Sequence, residues 1–321
     1  MRFALMTEPQ QGLSYEEILA LARTAEEEGF EAYFRSDHYA SFPGDAGLPT
    51  TDTWTTLAGL ARETSRIHLG SLVSPVTFRL PGSFAKTVAT VDAMSGGGRI
   101  ELGVGIGWNE LEHQQLGLPF PPVGKRFEML EEQLELFRGF WQEPDGWNHE
   151  GRHWQVTGSR FAPRPLHGDG RPGPYLILGG NGKPRALALT ARYADEYNLS
   201  SARPGSWAEP AEGLKRACQE IGRDPDEIVR SAMTGVLVAA NDAELHDRVR
   251  ELLVMFGGAD EETEHWLEER RSRWIIGTPE QALERIAQFE AGGVQRLMLQ
   301  DFLPRDLEMV RFIGREILPR R

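Results

Sequence analysis

The stretch IHLGSLVSPVTFRLPGSFAKTVATVDAMSGGGRIELGV, residues 67–104, contains a complete strand–helix–strand unit. Ile67–Val73 and Ile100–Val104 are short apolar runs that predict buried strands, and Ser83–Met94 between them predicts a helix. A strand, a crossover helix and a second strand make two parallel strands joined by a right-handed connection. The segment therefore predicts an α/β protein with a parallel sheet.

The same alternation continues on both sides of this unit. The other predicted strands are Phe3–Met6, Ala32–Ser36, Tyr175–Leu178, Glu196–Leu199, Ser231–Ala239 and Arg296–Gln300. The other predicted helices are Ser14–Glu28, Thr53–Glu63, Lys125–Trp141, Pro184–Tyr193, Pro210–Ile221, a helix from Asp242 onward, Pro279–Ala291 and Asp306–Ile317. Eight strands in this order favour closure into a (β/α)8 TIM barrel over the alternative, an open doubly wound sheet.

Three segments break the alternation, and we expect them to be insertions in a single domain that spans residues 1–321. They are approximately residues 107–124, 143–174 and 256–274; the second includes a possible hairpin over Trp147–Val156. Long connections inside a compact domain usually form lids or binding loops, and those after barrel strands lie on the catalytic face. Packing or contact between subunits is the alternative for each.

Composition restricts the classes of partner. The formal net charge of −13 argues against nucleic acid, whose phosphates require a basic surface. No apolar stretch approaches the roughly 20 residues of a membrane helix, and the N-terminus lacks signal-peptide features. Cys218, the single cysteine, lies in a helical pattern that favours a packed thiol. We expect a cytoplasmic protein, a homodimer, that acts on a small molecule.

Polar residues follow the second predicted strand at once. Asp37 and His38 come directly after an apolar run, and a carboxylate near an imidazole can orient a cofactor and move a proton near neutral pH. A structural pair bonded to the backbone is the alternative. The histidines lack the paired spacing of a metal site, so we expect no metal.

Two glycine-rich segments follow later strands. Gly103, Gly105 and Gly107 alternate, which leaves one face of the chain open to a ligand, although barrel curvature would also explain them. Asn109 and Glu110 then offer polar contacts.

The second segment, GGNGKPR at residues 179–185, opens a helix. Free backbone N–H groups at a helix start, together with Lys183 and Arg185, predict a phosphate site. A tight turn would account for the glycines but not for the two basic residues.

Taken together, four segments resemble the bacterial-luciferase-like superfamily, and within it the F420-dependent oxidoreductases. They are EAYFRSDHY (31–39), LVSPVTFRLPGSFAKTVATVDAMSGGGRIELGVGIGWNELEHQQLG (72–117), LILGGNGKPRALALTARYADEYN (176–198) and GTPEQALERIAQFEAGGVQRLMLQ (277–300). The resemblance covers nearly the whole chain and implies a (β/α)8 barrel with extra segments.

The resemblance also implies roles for individual residues. Asp37 would hydrogen-bond the heterocycle of the cofactor, and His38 would be the acid or base, with Glu110 as a second candidate. Ser71, Leu72 and Val73 would back the ring, with a non-proline cis peptide near Ser71–Leu72. Cofactor contacts are further implied for Gly105, Gly107 and Asn109 along the channel, and for Gly179, Gly180, Asn181 and Arg185 at the phosphate.

The implied reaction is hydride transfer between coenzyme F420 and a small organic substrate. The Ser-Asp-His order at residues 36–38 resembles the F420 branch more than the monooxygenase branch. A monooxygenase that uses flavin mononucleotide (FMN) is the first alternative, and a non-catalytic flavin-binding barrel is the second.

Overall fold

A computed structural model describes residues 1–42, 44–255 and 262–321. The strands are β1 (Arg2–Thr7), β2 (Ala32–Arg35), β3 (His68–Pro75), β4 (Ile100–Gly105), β5 (Trp147–Glu150), β6 (Gln155–Ser159), β7 (Tyr175–Gly180), β8 (Glu196–Leu199), β9 (Val229–Val238), β10 (Ile275–Gly277) and β11 (Arg296–Asp301). The helices are α1 (Tyr15–Glu27), α2 (Thr53–Glu63), α3 (Pro81–Ser95), α4 (Glu110–Leu116), α5 (Val123–Gln142), α6 (Pro184–Tyr193), α7 (Ala208–Ile221), α8 (Asp242–Met255), α9 (Thr263–Arg271), α10 (Pro279–Ala291) and α11 (Leu307–Glu316).

Eight parallel strands close into a barrel. They pair in the order β1-β2-β3-β4-β7-β8-β9-β11, and β11 pairs with β1 to complete the ring. This closure confirms the predicted (β/α)8 barrel. The alternative, an open doubly wound sheet, is wrong, because an open sheet has two unpaired edge strands and here β1 and β11 pair with each other. The short strand β10 was not predicted; it pairs with the end of β9 through Ile275–Gly277.

Local signals in the sequence set the limits of several helices. Ser14 accepts a hydrogen bond from the Glu17 backbone N–H while the Glu17 carboxylate accepts one from Ser14 N–H, so α1 begins with a capping box. Pro184 occupies the first turn of α6, where its missing N–H costs no hydrogen bond. These two signals fix where α1 and α6 begin.

The interior of the barrel is apolar in its middle and charged at the amino ends of the strands. Ala4, Met6, Phe34, Leu72 and Met298 belong to one buried cluster between the strands. The larger core lies between the outer faces of the strands and the surrounding helices. This packing leaves the carboxyl ends of the strands as the place where an open site can form.

Arg296 stands at the amino end of the barrel and is fully buried. Its guanidinium donates to the Glu101 carboxylate at 2.6 and 3.1 Å and to Glu196 at 3.2 Å. Burial by itself raises the pKa of Glu101, but Arg296 and His68 outweigh this effect and lower the pKa to about 2. Because this end is opposite the carboxyl ends of the strands, we assign the ion pairs to stability.

The three predicted insertions differ in what they form. Residues 107–124 contain the short helix α4, and residues 143–174 contain the antiparallel hairpin of β5 and β6. Of residues 256–274, the first six lie outside the described residues, and Thr263–Arg271 is helical.

Candidate active site

A cavity of about 660 Å³ opens at the carboxyl ends of the barrel strands. Of the residues predicted to form the site, those that line it are His38, Leu72, Val73, Gly105, Gly107, Gly179, Gly180 and Asn181. The structure therefore brings together residues from four separate strand ends. Glu8, Phe42, Trp108 and Lys183 also line this cavity.

A bulge in β3 forms one wall of the cavity. The pairing register with β4 shifts between Ser71 and Ser74, and the peptide bond between Leu72 and Val73 is cis. The cis bond was predicted near Ser71–Leu72 and lies one bond later. Leu72 and Val73 thus present an apolar surface at the mouth of the barrel.

The neighbouring glycines make room for this bulge. A Cβ atom on Gly105 would lie 2.8 Å from Val73 Cγ2, and one on Gly179 would lie 2.8 Å from Val73 Cγ1. Real carbon atoms in contact stay about 3.5–4.0 Å apart. Gly107 has φ +74°, which favours glycine for conformational reasons as well. The alternating glycines of β4 therefore allow Val73 to enter the mouth of the barrel.

His38 is held by a buried carboxylate that sequence reasoning missed. Its Nδ1 lies 3.0 Å from Glu112 Oε1, and Tyr39 N–H donates to Glu112 Oε2 at 3.0 Å. The Glu112 side chain is 1% exposed. The other ring nitrogen of His38, Nε2, makes no hydrogen bond with any described residue. A carboxylate accepting from Nδ1–H leaves Nε2 free for proton exchange.

Aromatic side chains enclose His38 on the outer side. The Phe42 ring lies 4.6 Å from the imidazole, and the Trp108 ring lies 5.6 Å from it, both edge-to-face. Phe42 and Trp108 also contact each other at 5.0 Å between centroids. These rings restrict the positions that the imidazole can adopt and reduce its contact with water.

Glu8 was also missed from the sequence. It follows β1, is 8% exposed, and lines the cavity. Its carboxylate accepts from Gln10 Nε2 at 2.7 Å and from Gln300 Nε2 at 2.6 Å. Two amide donors hold the carboxylate in place, so Glu8 presents an oriented negative charge to the cavity.

Asp37, which the resemblance predicts to contact the heterocycle, does not line the cavity. Ser74 Oγ donates to it at 2.6 Å, and the Arg79 guanidinium donates to both of its oxygens, at 2.6 and 3.2 Å. Arg79 also binds Asp52 at 2.6 Å. Burial raises the pKa of Asp52, but Arg79, the Thr55 N–H and other donors hold it well below the usual range. Asp37 therefore anchors the loop that carries His38.

Three further predicted site residues also lie outside the cavity lining. Ser71 is fully buried and donates to the Gly103 carbonyl at 3.2 Å. Asn109 caps α4, since its Oδ1 accepts from Leu111 N–H at 3.2 Å. Glu110 is exposed on α4 and bonds Gln114, so it is not beside His38. None of the three lines the cavity.

The segment predicted to bind phosphate lies only partly at the cavity. Gly179, Gly180, Asn181 and Lys183 line the cavity, whereas Arg185 does not. The Arg185 guanidinium lies over the Phe127 ring, at 5.2 Å, and donates to a backbone carbonyl of α5. Lys183 is the N-cap residue of α6, and its side chain makes no capping hydrogen bond. Because Lys183 lines the cavity and Arg185 does not, Lys183 is the basic residue of this segment at the cavity.

Within residues 1–42, 44–255 and 262–321, no group of three His, Cys, Asp or Glu side chains is placed to hold a metal ion. In the same ranges no helix has the length and apolar character needed to cross a bilayer.

Comparison with known proteins places the chain in a family. A family model described as luciferase-like monooxygenase matches residues 1–296. The chain belongs to this family. As a luciferase-like protein it is 30% identical to an F420-dependent glucose-6-phosphate dehydrogenase of Microbacterium testaceum, over 95% of this chain and 93% of that one. It is 28% identical to the pyrimidine monooxygenase RutA of Stutzerimonas stutzeri, over 82% of this chain and 71% of the relative.

Solved structures agree on the fold of this luciferase-like chain. An F420-dependent secondary alcohol dehydrogenase in complex with an F420-acetone adduct superposes with a TM-score of 0.83 and 19% identity. The match covers 100% of this chain and 99% of that one. At 19% sequence identity, the similarity shows a shared fold and nothing more.

Proposed function

We propose that this protein is an F420-dependent oxidoreductase, which transfers a hydride between coenzyme F420 and a small organic substrate. The observation that carries the proposal is the combination, in one cavity, of an apolar bulge at Leu72–Val73 with the His38–Glu112 pair. The relatives named for F420-dependent activity support the choice of cofactor.

The residues present fit a flat heterocycle with a phosphorylated tail. Leu72 and Val73 offer an apolar surface of suitable chemistry for one face of a ring, and the glycines beside them add no side chains to the space. Gly180, Asn181 and Lys183 would hold the phosphate, because the start of α6 presents N–H groups free of helical partners. When bound, F420 supplies hydride transfer at its deazaflavin ring.

His38 handles the proton that accompanies the hydride. In oxidation of an alcohol, Nε2 accepts the hydroxyl proton; in reduction of a carbonyl, the protonated imidazole returns it at the same atom. Glu112 holds the imidazole for both steps, since its buried carboxylate fixes the tautomer with Nε2 toward the substrate; it also stabilises the imidazolium that forms when Nε2 accepts the proton. Phe42 and Trp108 limit access of water to this transfer.

An FMN-dependent monooxygenase is the second candidate. The family description and the pyrimidine monooxygenase relative favour it, and the apolar wall of Leu72 and Val73 would suit a flavin ring equally well. The two functions differ in which cofactor the cavity selects.

Equilibrium titration with F420 and, separately, with FMN distinguishes them. Fluorescence should report selective binding of F420 at micromolar concentration, equivalent to roughly −8 kcal/mol. Preference for FMN would favour the monooxygenase, and binding of neither would contradict both functions.

Two variants test the position of the phosphate in the same titration. Lys183→Ala should weaken binding of F420 but not of its dephosphorylated core. Arg185→Ala is the matched control, since its side chain faces α5, and it should leave both affinities within about twofold. Equal weakening of F420 by the two variants would refute the assignment to Lys183.

A further inference from the structure

A second chamber adjoins the active-site cavity and is not used by the proposed cofactor site. Its volume is about 550 Å³, and it lies at the ends of β9 and β11, beside the segment that follows α9. Ser201, Gln300 and Phe302 line both spaces. The chamber and the cavity that contains His38 therefore share a boundary, on the side formed by the later strands.

Flat aromatic surfaces form one wall of the chamber. The Trp274 and Phe302 rings stack with 4.9 Å between centroids and 9° between planes. Trp274 also packs closely against β9, since a Cβ on Gly235 would lie 2.1 Å from its indole. The Trp266 ring meets Trp274 edge-on at 5.3 Å. The wall thus offers an aromatic surface that suits a planar group.

Two arginines lie at the rim of the same chamber. Arg270 is engaged: it lies over the Trp266 ring at 4.5 Å and donates to the Glu269 carboxylate at 3.0 Å. The Arg273 guanidinium makes no hydrogen bond or ion pair with any residue that the structure describes. Among the described residues that line the chamber, Glu269 neutralises one of the two positive charges and leaves one net positive charge, on Arg273.

The junction between the two spaces has an unusual backbone. Ser201 has φ +48°, and no other non-glycine residue in the described ranges has positive φ. Non-glycine residues in this conformation concentrate at functional sites, because the surrounding structure must hold them there. The Ser201 hydroxyl makes no hydrogen bond with a described residue and lines both spaces. It offers a polar contact where a bound molecule would pass from one space to the other.

We infer that this chamber is the substrate pocket and that it selects planar substrates with one anionic group, preferably a carboxylate. The planar part packs against the wall formed by Trp274 and Phe302, and the carboxylate pairs with Arg273, whose planar guanidinium suits two parallel hydrogen bonds. The alcohol or carbonyl carbon then reaches the main cavity past Ser201. This inference rests on the proposed function and names its substrate class.

Three probes test the chemistry of the chamber by calorimetry with the F420-loaded protein. They are 2-naphthoate, its uncharged amide 2-naphthamide, and cyclohexanecarboxylate, which has the charge without the aromatic face. The wild type should bind 2-naphthoate about tenfold more tightly than either of the others. Equal affinity for the three probes would overturn the inference.

Variants at exposed arginines locate the charge. Arg273→Met should remove the preference of naphthoate over naphthamide. Arg271→Met is the matched control, because Arg271 is also exposed at the end of α9 but lines a different surface depression; its preference should stay within about twofold of wild type. Trp274→Leu should remove the preference for naphthoate over cyclohexanecarboxylate. An unchanged preference in Arg273→Met would contradict the assignment.

Repeating the titrations without F420 separates this inference from the proposed function. If F420 does not bind but Arg273 still determines naphthoate selectivity, the cofactor assignment fails and the pocket is supported. If Arg273→Met weakens F420 itself about tenfold and leaves naphthoate unchanged, the chamber holds the anionic tail of the cofactor, and the substrate inference is overturned.

Discussion

The contact between Val73 and the glycines beside it gives a quantitative test of how the bulge is accommodated. An alanine Cβ at position 105 would lie 2.8 Å from Val73 Cγ2, roughly 1 Å closer than a normal carbon–carbon contact. Val73 has a branched, stiff side chain and cannot easily turn away. Gly105→Ala should therefore lower the free energy of unfolding by about 1–3 kcal/mol, the usual cost of overpacking.

Removing the opposing methyl groups should relieve most of this cost. Val73→Ala deletes both γ carbons and should itself lower stability by only about 1 kcal/mol, since the side chain is half-buried. In the double variant, the two effects should be less than additive by about 1–2 kcal/mol. Chemical denaturation of the wild type, both single variants and the double variant supplies the four values.

Gly103→Ala is the matched control for this cycle. Its Cβ would lie 2.1 Å from the Ser71 carbonyl oxygen, a backbone atom that Val73→Ala does not remove. Its destabilisation should persist in the Val73→Ala background. Two results would refute the link between the glycines and the bulge. One is that the losses of stability in Gly105→Ala and Val73→Ala are strictly additive, and the other is that Val73→Ala relieves the destabilisation of Gly103→Ala as much as that of Gly105→Ala.

Three other predictions concern charged side chains. Arg79→Met should cost about 3–5 kcal/mol in urea unfolding, because it leaves Asp37 buried without its cation; a loss below about 1 kcal/mol would contradict this role. Burial raises the pKa of Asp301 to about 7, so the folded state keeps a proton that the unfolded chain loses near pH 4, and stability falls as pH rises between these values. The stability of Asp301→Asn relative to the wild type should therefore rise by about 3 kcal/mol between pH 5 and pH 8. Parallel profiles of stability against pH for the two proteins would refute this prediction. Glu112→Gln should slow hydride transfer about tenfold and leave the F420 dissociation constant within about twofold, because it removes the charge that supports His38; an unchanged rate in single-turnover kinetics would contradict this.

The barrel was predictable because its strands are buried on both faces and read as short apolar runs. Each of the eight barrel strands lies where the sequence placed it, within a few residues. The short strand β10 was missed since Ile275–Gly277 is too brief for a periodic signal and depends on pairing with β9.

The candidate site was predictable only in part, because its partners are distant in sequence. Glu112 is separated from His38 by 74 positions, and the segment that carries it interrupts the strand–helix alternation. The spacing of Asn109, Glu112 and His113 is that of one helical face, and with Asn109 as a cap it would have indicated α4 and its inward carboxylate. Glu110, one residue inside that cap, points away.

The same limitation applies to the positions of Asp37 and Arg185. Whether a carboxylate after a strand faces the cavity or a neighbouring cation depends on the register between strands, and Arg79 is 42 residues from Asp37. At the start of α6, a difference of two positions separates the side chain at the cavity, Lys183, from one that lies against α5. Local sequence contains both residues but not the direction of either side chain.

Anaerobic incubation of the protein with reduced F420 and a panel of small aldehydes and ketones tests the central claim most directly. Oxidation of the cofactor, followed by its visible absorbance, should require both protein and a carbonyl substrate, and should be lost in His38→Ala while F420 binding stays within about twofold of wild type. Turnover that occurs only with reduced FMN and oxygen, or His38→Ala activity equal to wild type, would contradict the account.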